Sequence, residues 1–174
     1  MNRKQIRLVQ TFVLAAFSLF ATFVVLGNLM DYGSNEAFVK HVLSMDTTFE
    51  GNKLMWRAIT GEGLQTAAYW GIIAAEFAVA ALGWTSVVKM VKHQRASSEK
   101  YAKAKVLGFY AFLVAILIWF IGFIVLGSEW FAMWQSQIWN GKQTAMDIIE
   151  VVGVFLVLFS LPDFALPAKK DSKE

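Results

Sequence analysis

Three carboxylic acids stand in otherwise apolar sequence, and any chemistry of this chain would be sought there: Glu76, Asp147 and Glu150. An ionised carboxylate in the middle of a hydrocarbon layer costs about 2.5 to 3.5 kcal/mol on insertion scales, so it must take up a proton, find a partner or face water. Asp147 and Glu150 are three positions apart and share one helical face. Glu76 lies eleven positions beyond Gln65, whereas Glu150 lies seven beyond Gln143, in a matching Gln-Thr-Ala segment. In that register Glu76 is one helical turn deeper, about 6 Å. If the two helices face each other, Glu76 and Glu150 come within reach, share a proton and could relay protons or cations. The plainer alternative, which we favour, is a neutral Glu76 hydrogen-bonded inside a bundle or at a subunit contact.

Little other chemistry is open to the chain. It has no cysteine, which removes disulfides, thiolate nucleophiles and thiolate metal sites. Its two histidines, His41 and His93, both fall outside the apolar stretches, so a buried bis-imidazole haem site is excluded. Asp31, Glu36, His41 and Asp46 could gather around a divalent ion, but their spacing matches no zinc or calcium pattern. No phosphate-binding loop, nucleophile elbow or HExxH segment is present, and no metal or cofactor is expected.

The elements that must carry these acids follow from the distribution of apolar residues. Hydrophobic residues make up 57% of the 174, and the mean hydropathy is +0.50, more than a water-soluble domain of this size usually carries. Four stretches are long enough to cross a hydrocarbon core of roughly 30 Å as helices. They run from about Leu8 to Leu26, Leu64 to Val88, Val106 to Leu126 and Thr144 to Leu161. The expected fold is therefore all-α, a polytopic membrane protein forming a single four-helix transmembrane domain. The first stretch is too long for a secretory signal and no Ala-x-Ala site follows it, so it reads as a retained helix.

Lys and Arg sort unequally between the connections. Arg3, Lys4 and Arg7 precede the first stretch, six lie between the second and third, and Lys169, Lys170 and Lys173 close the chain, together twelve of sixteen. The remaining four are Lys40, Lys53, Arg57 and Lys142. By the positive-inside rule both termini and the loop 89–105 face the cytoplasm of a bacterial inner membrane, as does the tail 162–174. Loops 28–63 and 128–143 then face the periplasm. The net charge of +3 thus reports orientation and does not point to a nucleic acid. The basic middle loop could also attract anionic lipid or an acidic partner.

The chain resembles itself in two places. Phe20-Ala-Thr-Phe23-Val-Val25-Leu26-Gly27 matches Phe120-Ile-Gly-Phe123-Ile-Val125-Leu126-Gly127, and Gly63-Leu-Gln65-Thr66-Ala67 matches Gly141-Lys-Gln143-Thr144-Ala145. Both fall at outer helix ends in the same order, as two repeated helical hairpins would place them, and chance matching of apolar helices is the alternative. On the second stretch Ala67, Gly71, Ala74, Ala78, Ala81 and Thr85 form a stripe of small residues. Thr11, Ala15, Ser18 and Thr22 form another on the first, and the two stripes are expected to pack together. Glu76 would then point away from the first helix, on the face with Tyr69, Ile73, Ala80 and Gly83.

Two features mark the outer loops. Phe38, Val42 and Met45 share a helical face beside Val39 and Leu43, after Ser34 and Asn35 as candidate caps. This predicts a short amphipathic helix lying on the membrane or on the bundle. Trp130, Trp134 and Trp139 cluster beside a helix end, as an interfacial belt would place them, with a quinone or lipid site as the alternative.

The run Asn28-Leu-Met-Asp31-Tyr32-Gly33-Ser34-Asn35, continuing through Phe38, His41, Asp46 and Phe49, resembles the bacterial family of predicted small integral membrane proteins of unknown function. Trp56-Arg57-Ala58 and Gly127-Ser128-Glu129-Trp130-Phe131-Ala132-Met133-Trp134-Gln135-Ser136 look like its other signatures. The resemblance covers nearly the whole chain and implies four spans and a bacterial origin, with no catalytic assignment. The loop lengths are also similar to those of animal tetraspan proteins of the claudin type, but their paired loop cysteines are missing, so the likeness is one of topology.

The reading preferred from sequence is a structural or accessory subunit that binds lipid and either another membrane protein or a second copy of itself. A small proton- or cation-coupled transporter using Glu76, Asp147 and Glu150 is the alternative. An enzyme ranks third, because no nucleophile, base and metal constellation is visible.

Overall fold

The computed structural model of the chain describes residues 2–163. The tail lysines Lys169, Lys170 and Lys173 lie outside the described residues. Five helices account for most of the rest: α1 Arg3–Met30, α2 Tyr32–Ser44, α3 Glu62–Lys92, α4 Ser98–Trp130 and α5 Lys142–Ser160. Four of them, α1, α3, α4 and α5, are long and apolar enough to cross a membrane. Single turns of 3-10 helix occupy Met55–Arg57 and Met133–Gln135.

The helices extend past the apolar stretches because the signals that end a helix lie further out than those that end an apolar run. Asn2 caps α1, its side chain accepting from the Gln5 N–H while Gln5 returns a bond to the Asn2 N–H. Ser97 caps α4 in the same manner, accepting from the Lys100 N–H. Most of the expected loop 89–105 is therefore helical, and the expected loop 128–143 begins inside α4. From Leu117 to Trp130 the α4 ladder widens to the π-helical i→i+5 pattern, ending with the Phe131 N–H on the Leu126 carbonyl at 2.9 Å.

One apolar core runs through all four long helices. Leu14 and Phe17 of α1, Val79 of α3, Phe112 of α4 and Phe159 of α5 are fully or almost fully buried in it. Gly108 of α4 is met by side chains from the other three: a Cβ there would lie 2.6 Å from Phe159 Cζ, 2.8 Å from Leu14 Cδ2 and 3.1 Å from Ser86 Oγ. Ser86 of α3 donates to the Ala104 carbonyl of α4 at 2.8 Å, so that contact needs a small residue on one side and a donor on the other.

The stripe expected to join α1 and α3 does not join them. Ala67, Gly71, Ala74, Ala81 and Thr85 are exposed on the outside of α3, and Ala78 is half-buried. The α1 stripe does face α3, but α3 meets it with the opposite side, where Gly83 packs against Ser18 so closely that a Cβ would collide with the Ser18 hydroxyl. The reason lies in polarity: Gln65, Tyr69, Glu76 and Ser86 share the buried face of α3, and lipid leaves those groups no other place to hydrogen-bond.

The helix α2 exists as expected, but it follows α1 across the single residue Asp31 rather than starting at Ser34 or Asn35. It lies on the bundle. Val39 packs with Tyr69 and Ile73 of α3, while Val42 and Met45 pack with Phe131, Ala132 and Met133 beyond α4. Met45 and Ala132 both adopt left-handed backbone conformations within that cluster, at φ 55° and 52°.

The two repeated segments do not occupy equivalent environments. Gln65 is buried and Gln143 exposed, whereas Ala67 is exposed and Ala145 buried.

Candidate functional site

Glu76 is 3% exposed and faces inward. Because α3 turns its polar face to α1, the carboxylate meets Asn28, whose amide Nδ2 donates to Glu76 Oε2 at 2.6 Å. Tyr69, two turns toward the α2 side, donates its hydroxyl to the Asn28 backbone carbonyl at 2.9 Å. Asn28 thus stands between Glu76 and Tyr69 and fixes the position of both.

Beside this trio is a chamber of about 470 Å³, within the range typical of small-molecule sites. Its walls are aromatic, with Phe20 from α1, Phe38 from α2, and Trp119 and Phe123 from the π-helical part of α4. Its rim on the α2 side carries Asn35, Asn140 and Thr144. Toward the chain termini the space is filled by the buried core, where Phe17 stacks on Phe112 at 5.1 Å.

Among the described residues no Lys, Arg or His lines the chamber. A carboxylate so placed is either held as the neutral acid or balanced by a cation from outside the lining residues, since an unpaired buried charge costs several kcal/mol. The geometry therefore supplies one carboxylic acid, fixed by an amide, in an aromatic cavity. The other titratable group among the lining residues is the Tyr69 phenol, whose hydroxyl is engaged with the Asn28 carbonyl.

Asp147 and Glu150 are not brought to Glu76. Both are exposed on α5, which buries Ala145, Val152 and Phe159 on its other side. Asp147 accepts from Gln143 at 2.7 Å and borders a separate groove between α1 and α5. The expected approach of Glu76 and Glu150 fails because depth along two helices says nothing about which way each helix turns.

Residues 6–162 match the family described as predicted small integral membrane protein (DUF2165). The chain belongs to that family. No curated protein and no solved structure matches it. Membership makes it an integral, multi-pass membrane protein, in keeping with its four long apolar helices.

On the α2 side the aromatic residues of the two outer loops pack against one another. Trp130 packs edge-on to Trp56 at 5.8 Å, and the Arg57 guanidinium lies 4.4 Å above the Trp130 ring. Trp134 meets Phe49, and Trp139 stacks on His41 at 4.6 Å. These three tryptophans are thus tied into the packing of the outer loops as well as partly exposed. The four residues weighed as metal ligands disperse: His41 pairs with Asp46, whereas Glu36 turns to α3. There the Thr66 hydroxyl donates to Glu36 at 2.8 Å, and that bond holds its carboxyl below the usual carboxylate range.

A second polar cluster, which sequence reasoning counted only as topology, sits at the opposite end. Arg7 is 1% exposed. It is ion-paired with Asp163, donates to the carbonyls of Gln94 and Ala96 at 2.9 and 2.8 Å, and lies 4.4 Å over the Tyr101 ring. The available signal was that Arg7, unlike Arg3 and Lys4, falls one position from the start of the apolar stretch.

Proposed function

We propose that the protein is an accessory inner-membrane protein whose working part is the Glu76 chamber, a one-sided binding site for a small molecule with a cationic, hydrogen-bond-donating group. The observation that carries this reading is the buried Glu76 carboxylate, fixed by Asn28 beside an aromatic chamber with no basic side chain among its described lining residues. An ammonium group entering there would find both the acid and the faces of Phe20, Trp119 and Phe123.

In this reading the chain lies with both termini in the cytoplasm, as its basic residues favour, and the chamber opens to the periplasm. Partner binding would use the exposed small-residue side of α3, where another membrane helix could approach closely. That surface suits another membrane protein or a second copy of this chain. A transporter is less well supported, because packed core lies between the chamber and the cytoplasmic end.

The test is titration of the purified protein with hexylamine and with hexanol as the uncharged control, followed by Trp119 fluorescence. A saturable response to the amine alone is expected, lost in Glu76→Gln and in Trp119→Phe. An equal response to alcohol and amine, or an unchanged one in Glu76→Gln, would end the proposal. Amine- or proton-driven flux in liposomes that disappears in Glu76→Gln would favour the transporter instead.

A further inference from the structure

We propose that Lys105 is the recognition group of a phosphate-binding site between the start of α4 and the end of α5. Lys105 is 7% exposed. Its ammonium lies 4.8 Å from the centre of the Phe159 ring and 5.5 Å from that of Phe109. Aromatic faces attract the charge but accept none of the three N–H bonds an ammonium offers. Among the described residues no carboxylate pairs with it: Asp163 is taken by Arg7, and Glu99 by Lys103 at 2.7 Å.

The amine does not end in packed core. It borders a cavity of about 400 Å³, with Ser98 and Ser160 also on its walls. A buried cation without a direct ion pair, beside hydroxyls and open space, fits an oxyanion of moderate size. Asp163 and Glu99 share that wall, but each is ion-paired with a base that does not line the cavity, Asp163 with Arg7 and Glu99 with Lys103, which leaves Lys105 as the lining charge without an ion-pair partner among the described residues.

Position narrows the chemistry further. Lys105 immediately precedes the apolar run from Val106, at the depth where a helix passes from headgroup to hydrocarbon, and it follows Lys100 and Lys103 in the basic segment. Basic pockets between helices at this level suit the phosphate of an anionic phospholipid. Inorganic phosphate offers the same chemistry without the acyl chains, so the two sources must be separated by experiment.

The full-length protein, delipidated in mild detergent, would be followed by native mass spectrometry and by its thermal midpoint. Phosphatidylglycerol, inorganic phosphate and diacylglycerol would be added separately. Phosphatidylglycerol is expected to bind and raise the midpoint, and diacylglycerol is not. Lys105→Met should weaken binding at least tenfold, Lys105→Arg should retain it, and Lys92→Met, altering an exposed lysine at the end of α3 that does not line the cavity, should leave it unchanged. A full response to inorganic phosphate alone, dependent on Lys105, supports the site with a free anion as its occupant. The proposal is overturned if neither phosphate source affects the wild-type protein, which decides the matter even if Lys105→Met does not fold. It is equally overturned if Lys105→Met binds like the wild type.

Discussion

The Arg7 guanidinium donates through Nε to Asp163 Oδ2 at 2.7 Å, joining the first turns of α1 to the residues that follow α5. Its remaining donors reach carbonyls between α3 and α4, so one side chain holds all four long helices at the end opposite α2. Removing one member of a buried pair leaves the other uncompensated, a loss of about 3 to 5 kcal/mol. Arg7→Met is expected to fall in that range in reversible unfolding from mixed micelles, and Asp163→Asn below it, because Arg7 keeps its carbonyl partners. Equal stability of Arg7→Met and wild type would remove the role assigned to this pair.

The same pair sets an acid limit. Burial pushes the Asp163 carboxyl up, but the Arg7 guanidinium outweighs it and holds the carboxyl below the usual carboxylate range. A carboxyl lowered in the folded state contributes stability above its unfolded value of about 4, and that contribution is lost as pH falls through the folded value. The difference in thermal midpoint between wild type and Asp163→Asn should therefore be constant from neutral pH to about pH 4 and shrink below it. A difference that closes near pH 6 would contradict the assignment.

Gly83 and Ser18 set how closely α1 and α3 approach, since a Cβ on Gly83 would collide with the Ser18 hydroxyl. Overpacking of this kind costs about 1 to 3 kcal/mol. Gly83→Ala should lose that much, and Ser18→Gly added to it should recover most of the loss. By contrast Ala81→Leu, on the exposed side of the same helix, should change the stability of the isolated chain by less than about 0.5 kcal/mol. The sequence pattern alone would have ranked these two substitutions the other way. A shift of oligomeric state in Ala81→Leu, read by size-exclusion with light scattering, would identify that side as an interface.

What the sequence made legible was set by one-dimensional signals, and what it hid was rotational. Apolar length located all four long helices, and the spacing of Phe38, Val42 and Met45 located α2. The residues grouped with Glu76, namely Tyr69, Ile73, Ala80 and Gly83, do share a face of α3. The error was to turn that face away from α1, because a small-residue stripe was weighed above the polar groups. Asn28 could not be tied to Glu76 without that rotation, and Arg7 could not be told from a topology signal without Asp163. The chamber depends on side chains from every helix, which no local pattern encodes.

Glu76 gives the most demanding test, because binding, packing and relay predict different outcomes for one set of variants. Gln keeps an oxygen that can accept from Asn28, so Glu76→Gln should fold with a stability within about 1 kcal/mol of wild type while losing the amine response. Ala leaves the Asn28 amide without that acceptor inside the bundle, which costs about 1 to 3 kcal/mol. Glu76→Ala should therefore lose both stability and binding, and Asn28→Ala should lose stability with a weakened amine response. Asp147→Asn and Glu150→Gln, exposed on α5, should match wild type in both measurements. If Glu150→Gln instead abolished the amine response as fully as Glu76→Gln, the two acids would have to meet in a conformation other than this one. The relay would then displace the binding chamber as the account of Glu76.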